Sequence, residues 1–278
     1  MEVYGCDLFD APGSSKYMYT KIVNTRAGWK TIFTDTKFDY CINASGSGNV
    51  PFSVTHPVDD FYLNTLDTIH ILDAIRGQAI QCRYLHISSA AVYGNPEILP
   101  VKETALCKPL SPYGWHKLMA EELCREYNVM FGVQASIFRP FSVFGPGLTK
   151  QLFWDVFTKY RENPALITLW GSGKESRDFI YIDDLAKCFH LIIEQGSGAA
   201  DTYNIANGNE IMIEDAIRLF IRLLDSQCKI IFNNKAREGD PQNWKADITK
   251  IKALGFIPGI SFEDGIASYI NWIKQINT

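Results

Sequence analysis

The chain has 278 residues, 46% of them hydrophobic and 21% charged, with a formal net charge of -4 and a pI near 5.8. That size and apolar content are enough for one large or two smaller packed domains. The acidic balance argues against a general nucleic-acid binder, which needs a concentrated basic face, and no run approaches the ~20 apolar residues that span a bilayer.

Seven cysteines (Cys6, Cys41, Cys82, Cys107, Cys124, Cys188 and Cys228) are scattered without a C-x-x-C pair. No charged-then-apolar leader is read, so reduced thiols and a cytoplasmic location are expected. The five histidines show no metal spacing such as H-E-x-x-H, and no metal is expected.

Strand-like and helix-like segments alternate through the first two-thirds. EVYGCDLF reads as a strand and FDYCINAS (38–45) as another; DDFYLNTLDTIHILDAIR (59–76) has helical spacing. RYLHISS (83–89) is a strand, PYGWHKLMAEELCREYNVMFG a long helix and VQASIFRP (133–140) a further strand. Strands joined by helical crossovers predict a parallel sheet covered on both faces, an α/β doubly wound fold of Rossmann type. Beyond residue 140 the pattern loosens: GPGLT and WGSGKESRD read as loops around a helical QLFWDVFTKYREN. YIDDLAKCFHLIIEQ (181–195) follows as a helix and DTYNIANG (201–208) as a strand. IEDAIRLFIRLLDS, KIIFNN and FEDGIASYINWIKQ predict a smaller C-terminal α/β part. The expected division is 1–142 plus about 176–208 for one domain and about 143–175 plus 209–278 for the other, with a cleft between them.

A dinucleotide-binding fold opens with a strand, a glycine-rich turn and a helix, and an acid about 20 residues on binds the ribose hydroxyl. Asp7 in VYGCD suits that acid, yet it stands at position seven, leaving no residues for the turn. A chain lacking roughly the first 30 residues of a βαβ unit is therefore expected.

Four residues carry candidate chemistry. Ser88 and Ser89 end a predicted strand, where open α/β sheets place their ligand crevice. Tyr113 and Lys117, at i and i+4, share one helix face. A phenol titrates near pH 10, and a nearby cation lowers that value. Lys117 is such a cation, and the Ser89 hydroxyl suits the oxygen whose proton moves. Tyr-x-x-x-Lys also recurs by chance, so context has to decide. His116, inside that interval, reads as solvated; Trp170, Trp244 and Trp272 read as packing residues.

The ordered series INASG, NTLDTIHILDA, HISSAAVYG, SPYGWHK, FRPFSVFGPG, WGSGKESRDFIYIDDLAK, YNIANG, REGD and LGFIP resembles the extended short-chain dehydrogenase/reductase family, in its NAD-dependent nucleotide-sugar epimerase/dehydratase branch. The resemblance covers nearly the whole chain. It implies NAD as cofactor, a nucleotide-diphosphate sugar as substrate, and a homodimer through the helices around 59–76 and 113–131. Tyr113 is implied as acid/base, Lys117 as the residue that lowers its pKa and holds the nicotinamide ribose, and Ser89 as the partner of the substrate hydroxyl or keto oxygen. Ala44, Ser45 and Gly46 are implied in the phosphate and ribose region. Asn64, Ser88 and the backbone from Pro140 to Ser142 complete the pocket, and Asp7 binds the adenosine ribose, favouring NAD over NADP. Arg177 and Arg237 match positions that grip the substrate diphosphate, a task suited to a forked guanidinium. Two departures stand out: Ser142 replaces the usual Asn at a substrate contact, and the glycine-rich turn is missing.

Ala90 and Ala91 follow Ser89, where the resembled 4,6-dehydratases carry an Asp-Glu pair and sugar-acid decarboxylases often a Glu. Alanine is neither acid nor base. The resemblance therefore implies a nucleotide-sugar epimerase acting at C4. A nucleotide-linked 4-keto-6-deoxy-sugar reductase is the alternative, and a non-catalytic binding protein, motivated by the missing turn, is the alternative of another class.

Overall fold

The computed structural model describes residues 2–10, 17–224, 227–235 and 239–276. In chain order the elements are β1 (Tyr4–Asp7), β2 (Met18–Lys21), α1 (Arg26–Asp35), β3 (Tyr40–Asn43), α2 (Val50–Thr55), α3 (Pro57–Phe61), α4 (Asp67–Gln78), β4 (Arg83–Ile87), α5 (Pro112–Phe131) and β5 (Ala135–Pro140). There follow β6 (Ser142–Phe144), α6 (Gln151–Glu162), β7 (Leu166–Leu169), β8 (Ser176–Tyr181), α7 (Ile182–Gln195), β9 (Ala199–Ile205), β10 (Glu210–Met212), α8 (Ile213–Leu223), β11 (Lys229–Phe232), α9 (Thr249–Ala253) and α10 (Phe262–Ile276). A π-helical turn, Tyr62–Leu66, joins α3 to α4, and a 3-10 turn, Ala90–Tyr93, follows β4.

The central sheet is parallel, in the order β3-β4-β5-β9, as the alternating pattern predicts. Alternation along its strands sends neighbours to opposite faces. Tyr84 and Ile137 pack on one face with Trp29 and Phe33 of α1, Leu72 of α4 and Tyr127 of α5. Leu85 and Phe138 pack on the other with Leu185 and Ile192 of α7 and Ile251 of α9. β1 and β2 form a separate parallel pair, and β3 is the outermost strand of its sheet. A third cluster joins α6, α8 and α10 to β7 and β8 around Phe153, Phe220 and Tyr269.

Three differences from the sequence reading have physical causes. Residues 176–178 form part of β8 rather than a loop; Ser176 and Asp178 are polar but buried, because Asp178 accepts the backbone N–H groups of Asn207, Gly208 and Ala246 at 3.0 to 3.1 Å. The short α1 escapes the pattern because only Trp29 and Phe33 of its ten residues are buried. Trp170 is 54% exposed rather than packed, whereas Trp244 is buried and donates to the Gly94 carbonyl at 3.0 Å.

Candidate active site

The helix that carries Tyr113 and Lys117 is fixed at its start by local chemistry. Ser111 caps it, its Oγ accepting the Gly114 N–H at 3.2 Å, and Pro112 occupies the first turn, where a missing N–H costs nothing. Gly132 closes it in the left-handed region. Gly114 has a second role: a Cβ there would lie 2.8 Å from the Ala91 carbonyl oxygen, so only glycine lets the helix start pack directly on the 3-10 turn after Ser89.

Ser89 caps that turn, its Oγ accepting the Ala91 N–H at 3.1 Å. The same hydroxyl stands next to the Tyr113 phenol and favours its ionised form, so the fold brings Ser89 and Tyr113 together. Lys117 is 6% exposed and donates to the Ile87 carbonyl at 2.9 Å, at the end of β4. Burial pushes the Tyr113 phenol up, with the Ser89 bond opposing. Burial also pulls the Lys117 amine down to about 8, against the nearby Asp60 carboxylate. The groups that shift the Tyr113 phenol are its burial, Ser89 and Asp60, while Lys117 is held against the end of β4.

The loop after β3 forms the opposite wall. Ser45 N–H and Oγ both donate to Asn43 Oδ1, at 3.0 and 2.6 Å, and Asn43 Nδ2 donates to the Tyr84 hydroxyl at 2.7 Å. Asn64 is buried and donates through Nδ2 to the Ser47 carbonyl at 3.2 Å and to Asp60 Oδ1 at 3.1 Å. Its Oδ1 has no partner, and a Cβ on Gly46 would come within 2.4 Å of it. A Cβ on Gly48 would lie 3.9 Å from the Tyr113 hydroxyl. The loop of Ala44, Ser45 and Gly46 thus packs on the Asn64 amide with its unpartnered acceptor, and two residues on, at Gly48, it reaches the Tyr113 hydroxyl. This donor and acceptor set, at the carboxyl ends of parallel strands, fits the nicotinamide and ribose half of a dinucleotide.

Ser88 is buried at the end of β4, and Pro140 ends β5 beside it. Ser142 stands on β6, paired with Phe179 of β8. Asp7 is not part of this cluster: it lies exposed on β1, where its Oδ1 accepts the Leu8 N–H at 2.6 Å. Arg177 on β8 is spread over the Trp244 ring at 5.4 Å and donates to the carbonyls of Ser176 and Gln242 at 2.8 and 3.2 Å. Burial lowers its pKa, with Asp240 and Glu175 opposing. Gln242 N–H donates to Asn95 Oδ1 at 2.7 Å, and a Cβ on Gly239 would lie 3.3 Å from Ser111 Cβ. The segment that Arg177 holds therefore packs against the start of α5. Arg237 lies outside the described residues.

Sequence reasoning missed two polar pairs that pack away from solvent. His116 is not solvated: its side chain is 12% exposed, with Nδ1 2.6 Å from Asp60 Oδ2 and its ring edge-on to Phe61. Glu121 and Arg139 form a wholly buried pair at 2.6 Å. The sign was available for Glu121, which continues the Tyr113, Lys117 stripe at i+8.

A family model described as the NAD dependent epimerase/dehydratase family matches residues 12–206. A putative UDP-glucose 4-epimerase of Methanocaldococcus jannaschii is 32% identical over 240 residues, covering 85% of this chain and 77% of that protein. A UDP-glucuronate 4-epimerase of Thermodesulfobacterium geofontis is 29% identical over 264 residues, covering 94% and 80%. The crystal structure of UDP-glucuronic acid 4-epimerase from Bacillus cereus, in complex with UDP-glucuronic acid and NAD, is similar with a TM-score of 0.89 and 26% identity, over 99% of this chain and 91% of that one. Relatives described as a 4,6-dehydratase and a reductase match as well. With the family model spanning most of the chain, and its cluster of Ser89, Tyr113 and Lys117 at the strand ends, the chain belongs to the NAD-dependent epimerase/dehydratase family.

Proposed function

We infer that the chain is a nucleotide-sugar 4-epimerase, and the observation that carries this reading is the site around Ser89. The hydroxyl of Ser89 stands beside the Tyr113 phenol, and the two residues that follow it are alanines, Ala90 fully buried. The site holds one proton-transfer group and, beside Ser89, no second acid or base of the kind an elimination requires. Ser89 would hold the sugar oxygen while Tyr113 takes its proton and later returns it. NAD, when bound, supplies the acceptor and donor of the hydride. Lys117, anchored to the Ile87 carbonyl, would hold the nicotinamide ribose, and Asn64 with the Ala44, Ser45, Gly46 loop would meet the cofactor's ribose and phosphate region. Arg177 would offer its remaining donors to the substrate diphosphate. Asp7 is assigned to the adenosine ribose on position in the family pattern, and Ser142 to the substrate side of β6.

We further assign a homodimer to the helices around 59–76 and 113–131, on the face built by α3, the π-helical turn and α5. Val58, Tyr62, Trp115 and Met119 are 64%, 52%, 48% and 45% exposed there, a concentration of apolar surface that marks an interaction site.

The test is product separation after incubating the chain with added NAD and UDP-glucose, UDP-galactose, their N-acetyl forms and their uronic acids. Inversion at C4 is expected with at least one of them. Failure across the panel would sink the epimerase reading, and net consumption of reduced cofactor with a 4-keto-6-deoxy sugar nucleotide would favour the reductase, which needs the same residues.

A further inference from the structure

We propose that Glu121 is a positioning residue, which through its ion pair with Arg139 holds both ends of the Ser88-to-Tyr93 segment and so sets the Ser89 hydroxyl against Tyr113. The proposal rests on the reading of Ser89 and Tyr113 as the proton-handling pair.

Glu121 is 0% exposed, two turns along α5 from Tyr113. Its Oε1 accepts the Ser88 hydroxyl at 2.6 Å and Arg139 Nε at 2.8 Å. Oε2 accepts Arg139 Nη2 at 2.6 Å and Arg125 Nη2 at 3.0 Å. One end of the segment is thus bonded to the carboxylate itself. The other end is bonded to its counter-ion: Arg139 Nη1 donates to the Tyr93 hydroxyl at 2.7 Å, and the guanidinium lies 4.7 Å from the Tyr93 ring centroid. Tyr93 in turn donates to Asn204 Oδ1 on β9 at 2.7 Å. Between these two fixed points stand Ser89, its cap on Ala91, and the Ala91 carbonyl against Gly114. The helix that carries Tyr113 and the turn that carries Ser89 are therefore tied together at three places.

Burial acting alone would raise the Glu121 carboxyl. Arg139 outweighs it, with Ser88 and Arg125 adding, so the group stays ionised and the clamp stays closed. A buried ion pair is weak evidence for stability, since an apolar replacement of equal volume is often no worse. What such a replacement cannot do is aim two hydroxyls. A misplacement of about 1 Å at a reacting group costs up to roughly 100-fold in rate.

The test uses Glu121→Gln, which keeps the shape and loses the charge, and Tyr93→Phe, which frees the far end with little change in packing. In folded protein, kcat is expected to fall about 10- to 100-fold in Glu121→Gln and about 10-fold in Tyr93→Phe, with KM for the sugar nucleotide within about threefold. The double variant should lose less than the product of the two, because both loosen one segment. Both variants within twofold of wild-type kcat, with only stability lowered, would overturn the proposal. If Glu121→Gln does not fold, Tyr93→Phe decides by the same criterion. If the wild-type protein shows no turnover, the function reading fails separately, and hydrogen exchange then decides. Faster exchange of amides 89–94 in the variants, with α8 unchanged, supports the clamp; unchanged protection at 89–94 overturns it.

Discussion

Replacing Lys117 by methionine should abolish turnover and yet stabilise the protein near neutral pH. The amine is buried and titrates at about 8 in the folded chain, against an ordinary value of 10.5. At roughly 1.4 kcal/mol per pH unit, that difference is an upper estimate of about 3 kcal/mol held against folding while the group is charged. Methionine fills similar space without the charge but leaves the Ile87 carbonyl without its 2.9 Å partner, a loss of about 1 to 2 kcal/mol. The net gain at pH 7 is then about 1 to 2 kcal/mol. Because the folded value is depressed, the unfolded chain binds more protons between about pH 8 and about 10.5, and wild-type stability gains from Lys117 as pH rises through that window. The variant has no such slope, so its advantage should vanish by pH 10. The buried thiols Cys82 and Cys188, raised by burial, act in the opposite sense in both proteins and cancel in the difference. Urea unfolding of both proteins at pH 7 and pH 10, without added NAD, checks this. A difference that stays flat with pH, or a variant less stable at pH 7, would refute the reasoning.

Tyr113→Phe should remove turnover while the melting temperature stays close to wild type; rates near wild type would end its role as acid/base. Arg177→Ala should raise KM for the sugar nucleotide about 10- to 100-fold with kcat largely kept, from the loss of a charge-assisted contact of roughly 1.5 to 3 kcal/mol, and an unchanged KM counts against that assignment. Sedimentation should show twice the 31.4 kDa chain mass, falling to one chain in Tyr62→Glu; a monomeric wild type contradicts the assigned dimer face.

The sheet, its crossover helices and the Tyr113, Lys117 pair were legible because each is written locally. Ser111, Pro112 and Gly132 mark the ends of α5, and apolar spacing marks its buried face. The residues that escaped are those whose burial depends on distant partners. Glu121 looks like an ordinary surface carboxylate until Arg139, on β5, is placed against it. His116 reads as solvated until Asp60 arrives from α3. Ser176 and Asp178 interrupt any apolar pattern, although the backbone donors that surround Asp178 make β8 a buried strand. Periodicity records which side chains avoid water, and it is silent about polar groups that leave water in pairs.

The position of β3 at the border of its sheet has a consequence for how the protein behaves in bulk. Tyr40 and Ile42 on that strand are 38% and 45% exposed, and its outer backbone groups pair with no strand among the described residues. An unpaired edge with apolar side chains is a template onto which another extended segment can add. Among the described residues, that four-residue strand is thus a place where the parallel sheet can still be extended.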